Sequence, residues 1–121
     1  MTIMDEITEF LTSYFDVLQN QNLEAFDQIF HKDCVLYSQQ DGATVVRPFT
    51  EYRKMVAGRA SPQSLDASRH DEILMIDLLS AQMAVAKVKL RLFDNIMVDH
   101  LNLMKIGDHW MIFAKHFHRL G

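Results

Sequence analysis

The fold is decided by residues 82–118, which read QMAVAKVKLRLFDNIMVDHLNLMKIGDHWMIFAKHFH. Apolar and polar residues alternate along this stretch with a period of two, which is typical of half-buried strands. Two short interruptions, Asp94-Asn95 and Gly107-Asp108, match the length of tight hairpin loops. The stretch and the residues before it predict four successive strands in an antiparallel meander, at about 72–79, 82–93, 96–106 and 109–118.

The residues ahead of the meander predict three helices. Apolar side chains recur at three- and four-residue spacing over residues 3–18, behind a capping box formed by Thr2 and Asp5. Asn22 can cap a second helix. A strand at 34–40 and a turn at Asp41-Gly42 come next, followed by a third helix. We expect this helix to begin at Pro48 and to end at Gly58 in a left-handed conformation. Helices followed by strands indicate an α+β fold, with three helices on one face of a curved antiparallel sheet.

Composition and charge exclude several classes of protein. The chain has 121 residues, of which 49% are hydrophobic and 23% charged, so we expect one folded domain over residues 1–121. Its net charge is −4 and its basic residues form no run, which argues against a nucleic-acid partner. No apolar run has the roughly 20 residues that a bilayer span requires, and no signal-peptide pattern is present. We therefore expect a cytoplasmic protein without a membrane partner.

The hairpin loops predict which residues share a face of the sheet. If the residues that flank each loop face each other, Asp99 lies opposite His116, and His118 shares their face. A carboxylate on an apolar face is costly unless it has a partner, so we expect Asp99 and His116 to lie side by side. The other expected members of this inner face, which the helices must cover, are Ala86, Val88, Leu90, Leu101, Leu103, Trp110, Ile112 and Ala114.

The opposite face, here called the outer face, mixes charged and apolar side chains. Such a mixture is explained by a two-fold homodimer interface, and scattered exposed apolar residues are the alternative. The residues expected on the outer face are Val85, Lys87, Lys89, Arg91, Val98, His100, Asn102, Met104, Met111, Phe113, Lys115 and Phe117.

Short motifs along the chain are shared with a known family. They are Tyr14-Phe15, Phe30-His31, Arg59 with Ser61-Pro62, Ala84-Val85-Ala86-Lys87, Val98-Asp99-His100-Leu101 and Leu103-Met104-Lys105-Ile106. With them the chain resembles the putative lumazine-binding family of the nuclear transport factor 2-like superfamily, which has a cystatin-like fold. The resemblance implies a cone-shaped sheet, commonly in a dimer, with a pocket between the helices and the concave face. Proteins of this fold include isomerases, dehydratases and SnoaL-like cyclases as well as pure interaction modules, so fold alone leaves function open.

We expect a small-molecule pocket protein that takes a hydrophobic or aromatic ring ligand and uses no cofactor. Asp99 would orient His116, which would act as general acid or base in proton transfer, dehydration or cyclisation. Alternatively, the two residues satisfy each other in a polar corner of the core. A rival hypothesis is a non-catalytic binding or protein-interaction module that works through the outer face. The residues leave open whether the protein is an enzyme.

Five further residues are expected to contact the ligand. Tyr14 and Tyr37 would donate phenol hydroxyls, Trp110 would supply a flat wall, and His118 would lie beside His116. Arg59 would close the pocket over an anionic group. Core packing is the alternative for Tyr14 and Trp110, and solvent exposure is the alternative for Arg59. His116, His118 and Asp99 also have the residue types of a metal set, but the pattern is generic and we expect no metal.

Overall fold

A computed structural model describes all 121 residues. The elements, in chain order, are α1 (Ile3–Asn20), α2 (Leu23–Ile29), β1 (Phe30–Gln40), β2 (Ala43–Pro48), α3 (Phe49–Ala57), β3 (His70–Ser80), β4 (Met83–Leu92), β5 (Asn95–Ile106) and β6 (His109–Arg119). The strands form one six-stranded sheet in the order β2-β1-β6-β5-β4-β3. The predicted α+β class with three helices is confirmed. None of the helices combines the length and hydropathy that a bilayer crossing requires.

The first two helices begin where the sequence predicts. The Asp5 amide donates to the Thr2 hydroxyl at 3.1 Å and the Thr2 amide donates to the Asp5 carboxylate at 3.0 Å, which completes the capping box. The Asn22 side chain accepts from the Ala25 amide at 3.1 Å. These contacts satisfy amides that have no partner within the first helical turn.

The sheet is mixed, because β1 runs parallel to β6 while every other pair is antiparallel. β1 follows directly on α2, so it joins the edge of the meander from the helical layer and no hairpin forces it to be antiparallel. Its hairpin with β2 turns at Asp41 and Gly42, whose φ angles are 50° and 83°. Positive φ at both positions is the type I′ geometry that the sequence predicts.

The core lies between α1, α2 and α3 and the inner face of the sheet. α1 contributes Ile7, Leu11, Tyr14 and Leu18, all with no exposed surface, because their spacing puts them on one stripe of the helix. Each fully buried leucine or isoleucine contributes about 1.5–3 kcal/mol relative to an exposed one. The sheet residues that pack against the helices are Ala84, Ala86, Val88, Leu90, Leu101, Leu103, Trp110 and Ile112.

The β4–β5 loop differs from the predicted one without changing the faces. Leu92 pairs with Asn95, so the loop is Phe93-Asp94 and not Asp94-Asn95. Phe93 takes a positive φ of 56°, and its ring lies beneath the Arg59 guanidinium, 5.1 Å away. This contact holds a conformation that aromatic residues seldom adopt. The pairing of β4 with β5 is shifted by two residues from the predicted one. Because side chains alternate between faces with a period of two, each side chain of these strands keeps its predicted face.

The β5–β6 ladder contains a β-bulge that reverses part of the predicted pattern. Leu103 pairs with Ile112 as predicted, but the register then shifts by one and Asn102 pairs with Ala114. Phe113 is the extra residue, and its ring stacks on His31 with a centroid separation of 4.2 Å. Two residues of one strand therefore face one residue of the other.

Beyond the bulge every residue of β6 changes face relative to the prediction. Lys115 and Phe117 lie on the inner face, opposite Leu101 and Asp99. The prediction was wrong for Ala114, His116 and His118, which lie on the outer face and not on the inner one. The bulge therefore exchanges an imidazole for an ammonium group beside Asp99.

The edge strand β3 is poorly covered. Leu74, Leu78 and Leu79 are 44%, 40% and 64% exposed. The acidic residues Asp71 and Asp77 lie in the same strand.

The two glycine turns differ in conformation. Gly58 ends α3 at φ −92° and not in the predicted left-handed region; its amide donates to the carbonyls of Lys54 and Met55. Gly42 is left-handed, and no atom lies within 4 Å of the position that its Cβ would occupy.

We expect Gly42→Ala to destabilise the protein by about 1 kcal/mol, because a side chain makes the left-handed backbone costly. Gly58→Ala is the matched control, with an ordinary φ and only van der Waals contact at 3.5 Å. Urea unfolding measures both. Equal midpoints for Gly42→Ala and Gly58→Ala would contradict the assignment of strain to the hairpin.

Candidate functional site

Asp99 is a buried carboxylate in the middle of the inner face. It lies on β5 and is 2% exposed. Its cross-strand neighbours are Val88 on β4 and Phe117 on β6. An ionised carboxylate in such surroundings requires hydrogen bonds or an opposite charge. Helix α1 and strand β6 supply these partners.

The first partner is Tyr14, which α1 places directly above Asp99. Its hydroxyl donates to Oδ2 of Asp99 at 2.6 Å, and the phenol has no exposed surface. Burial, together with the charge of Asp99, raises the pKa of Tyr14 well above its ordinary value. Tyr14 is therefore a protonated donor at neutral pH. The sequence singled out both residues, but with Tyr14 as a ligand contact and not as the partner of Asp99.

The second partner is Lys115, which sequence reasoning missed. Its Nζ lies 3.6 Å from Oδ2 of Asp99, and the residue is 5% exposed. The ammonium makes no hydrogen bond within the chain, although it can donate three. The apolar run Met111-Ile112-Phe113-Ala114 was the available signal, because residues of both faces are apolar there and alternation no longer fixes the register.

Aromatic rings surround the ammonium group. Nζ of Lys115 lies 5.3 Å from the ring centroid of Tyr14, 5.6 Å from that of Tyr52 and 6.0 Å from that of Phe30. These separations allow cation–π attraction, which strengthens when water is excluded. Phe30 is stacked on Phe49 at 5.1 Å and on Phe26 at 5.6 Å. The trio Tyr14, Asp99 and Lys115 is therefore a polar centre within a cluster of flat rings.

Cys34 lies in the same region, and its thiol is unreactive. It is 1% exposed, and burial raises the pKa of its thiol to about 12, although the charge of Lys115 acts in the opposite direction. The thiol is therefore protonated at neutral pH and does not act as a nucleophile.

His116, Tyr37 and His118 lie outside this centre, on the outer face. The His116 ring lies 5.6 Å from Tyr37 and 6.2 Å from His100. Tyr37 is 37% exposed, and His118 pairs with Val98. The predicted pairing of Asp99 with His116 is wrong, because the bulge sends the imidazole to the other side of the sheet. The same reversal separates Asp99 from the two histidines of the hypothetical metal set.

Arg59 and Trp110 occupy two other places. Nε of Arg59 donates to Oε1 of Gln21 at 2.7 Å, so this guanidinium anchors the end of α3 to the end of α1. Trp110 is on the inner face as predicted, 5% exposed. Its indole lines a groove of about 820 Å³ between α1, α2 and the β5–β6 loop. Neither residue contacts the trio by a hydrogen bond or an ion pair.

We expect Tyr14→Phe to destabilise the protein by about 1–3 kcal/mol, because it leaves a buried carboxylate without its hydrogen bond. Tyr37→Phe, at an exposed phenol, is the control. Because folding raises the pKa of Tyr14, its contribution is present below pH 10 and is lost as the pH rises further. The free energy of unfolding, measured against pH, checks both expectations. Its decrease at alkaline pH should be smaller in Tyr14→Phe than in the wild type. Identical pH profiles for the two proteins would contradict the buried hydrogen bond.

Comparison with known proteins agrees with this architecture. A nuclear transport factor 2-like protein of unknown function from Silicibacter pomeroyi DSS-3 superimposes with a TM-score of 0.85 at 15% identity, covering 98% of this chain and 99% of that one. A second such protein, from Methylobacillus flagellatus KT, gives 0.82 at 22% identity, with 98% and 92% covered. A ketosteroid isomerase-like protein from Erwinia carotovora atroseptica SCRI1043 gives 0.70 at 12% identity, with 97% and 95% covered.

These likenesses show the fold alone, a nuclear transport factor 2-like one. No curated protein matches the chain in sequence. The family model described as putative lumazine-binding matches residues 3–118, which is nearly the whole chain. This chain therefore belongs to the putative lumazine-binding family.

Proposed function

We propose that the protein binds a small flat-ring ligand between the helices and the inner face of the sheet, with Lys115 as its polar anchor. The observation that carries the proposal is the ammonium group of Lys115, a residue only 5% exposed, which pairs with Asp99 at 3.6 Å but makes no hydrogen bond. Membership of the putative lumazine-binding family supports a small ligand. The ligand would be held by its ring and by an oxygen acceptor.

The charge balance at Lys115 favours an additional acceptor. Burying an ammonium ion costs several kcal/mol, and its compensation depends on good geometry with the partner charge. Asp99 lies beyond hydrogen-bond distance, and its Oδ2 already accepts from Tyr14. A ring carbonyl or an anionic oxygen on a ligand would use the free donors of Lys115.

The surrounding rings favour a flat ligand. Phe26, Phe30 and Phe49 form a stack with interplanar angles of 8° and 15°. A planar heterocycle has the same shape and can stack with such rings. Lumazine, a pteridine with ring carbonyls, combines that shape with the required acceptors.

Access to the anchor would come from movement of α3. This helix covers β1 and β2 with only Phe49, Tyr52 and Val56 buried. A long connection, residues 58–69, follows it and contains no helix or strand. Displacing α3 exposes these three buried side chains, fewer than the eight buried residues of α1.

Acid–base chemistry is a second function that the same centre supports. Asp99 and Tyr14 share a hydrogen bond of 2.6 Å inside an apolar region, and burial raises the pKa of Tyr14 well above its ordinary value. Buried groups with such a shift are typical of proton-transfer sites. In this proposal Asp99 carries the proton and Tyr14 positions it. His116 has no part in it.

We expect lumazine to bind the wild-type protein and Lys115→Met to weaken that binding by about tenfold or more, because a charged hydrogen bond is lost. Lys87→Met, at an exposed lysine of the outer face, should bind like wild type. Titration of lumazine fluorescence measures all three. Circular dichroism controls for folding, because Lys115→Met also removes the partner charge of the buried Asp99 carboxylate.

Equal affinity of Lys115→Met and Lys87→Met for the ligand would overturn the role of Lys115. Failure of the wild type to bind lumazine or any of a panel of flat heterocyclic carbonyl compounds would overturn the proposed function.

We also propose that two copies associate through the outer face. Val85, Val98, Met104 and Met111 lie there, and each is only partly buried. Met104 and Met111 face each other across adjacent strands, and Val85 lies beside Asn102 on the next strand. Such neighbouring apolar side chains exceed the isolated residues that a solvated surface commonly carries. A two-fold axis through this face would bury them against one another.

Met111→Glu should convert the dimer to a monomer, because it places a charge in an apolar contact. Leu65→Glu, in the loop after α3, is the matched control and should remain dimeric. Sedimentation equilibrium distinguishes them. A monomeric wild type would contradict the interface.

A further inference from the structure

A groove separate from the trio lies between α1, α2 and the β5–β6 loop. Its volume is about 820 Å³, and neither Tyr14, Asp99 nor Lys115 is part of its lining. Phe10, Ile29 and Trp110 supply its apolar wall. Each of these residues is at least nine-tenths buried, so the wall belongs to the rigid core. A volume of this size is in the range of small-molecule sites.

The rim of the groove is acidic. Glu6, Glu9, Glu24 and Asp108 contribute to the lining, which contains no lysine or arginine. Glu6 is neutralised by Lys105, whose Nζ lies 2.7 Å from it. The other carboxylates take part in no salt bridge within the chain. The rim therefore carries uncompensated negative charge above an apolar wall.

Trp110 supplies an independent sign of a missing partner. Its Nε1 is buried and has no hydrogen-bond partner. A buried indole N–H normally finds an acceptor, and leaving it without one costs about 1–3 kcal/mol. Trp110 is part of the groove lining, and Nε1 itself has almost no accessible surface, so an acceptor on a bound molecule would satisfy it once the side chains that cover it shift.

The charge pattern does not fit a bare metal ion, because no three carboxylate, imidazole or thiolate groups in the chain converge closely enough to hold one. It fits a larger cation whose charge is reached by separate carboxylates. The α-amino group of Met1 is a positive group at the same rim. Met1 is 81% exposed, so solvent screens the attraction between this group and the carboxylates.

We infer that this groove binds a small organic ammonium ion that carries an aromatic or apolar ring. The ring packs on Phe10, Ile29 and Trp110, and the ammonium group lies among Glu9, Glu24 and Asp108. A hydroxyl or carbonyl on the ligand would accept from the indole N–H. The inference goes beyond the proposed function, because it concerns a different site and a ligand of opposite polarity.

Phenethylamine is a suitable probe, and 2-phenylethanol is its neutral counterpart of similar shape. Trp110 is the only tryptophan of the chain, so fluorescence excited where tyrosine does not absorb reports on the groove directly. We expect phenethylamine to change this fluorescence in a saturable way, and 2-phenylethanol to bind more weakly.

Glu9→Gln and Glu24→Gln should each weaken phenethylamine binding about two- to fivefold, as expected for partly exposed ion pairs. Glu51→Gln, in α3 and outside the groove, is the matched control and should change nothing. Lys115→Met should also leave amine binding unchanged, so the outcome is independent of the lumazine experiment.

The inference is overturned if phenethylamine leaves Trp110 fluorescence unchanged, if 2-phenylethanol binds equally well, or if Glu9→Gln and Glu24→Gln bind the amine like Glu51→Gln. Phe10→Leu provides a second variant for the apolar wall. Reduced amine binding in this variant supports the assigned wall, and unchanged binding contradicts it.

Discussion

The one-residue register shift between β5 and β6 determines the chemistry of the interior. Without the bulge at Phe113, the inner face would present His116 beside Asp99. With it, Lys115 occupies that place and the imidazole faces away. A single extra residue thus replaces an imidazole with an ammonium group beside the carboxylate. The ion pair between Lys115 and Asp99 and the contact of Lys115 with the Tyr14 ring depend on this shift.

The trio is also a constraint on packing. Asp99 and Lys115 are tolerated in the core because they compensate each other, and Tyr14 fixes the carboxylate from the helical side. Replacing Asp99 or Lys115 leaves the charge of the other without its partner, which is the costly case for buried ions. Helix α1, strand β5 and strand β6 are therefore coupled by polar contacts as well as by apolar ones.

Sequence reasoning predicted the elements well because their signals are local. The capping box at Thr2, the cap at Asn22 and the turn at Gly42 all depend on residues a few positions apart. The faces of β4 and β5 followed from alternation, and an error of two residues in the loop at Phe93 left them unchanged. The site was predicted in part: Asp99 and Tyr14 were identified, whereas Lys115 was not. A bulge arises from packing between strands, and the apolar run around Phe113 fits either register.

The uncovered edge strand β3 has a consequence for behaviour at high concentration. The backbone groups along its outer edge have no neighbouring strand. Exposed apolar surface lies beside them on Leu74, Leu78 and Leu79. Such an edge is a template on which another chain can add by main-chain pairing, the first step of ordered aggregation. Asp77, which takes part in no salt bridge, places a negative charge on this strand, and the same charge on an incoming copy opposes such pairing.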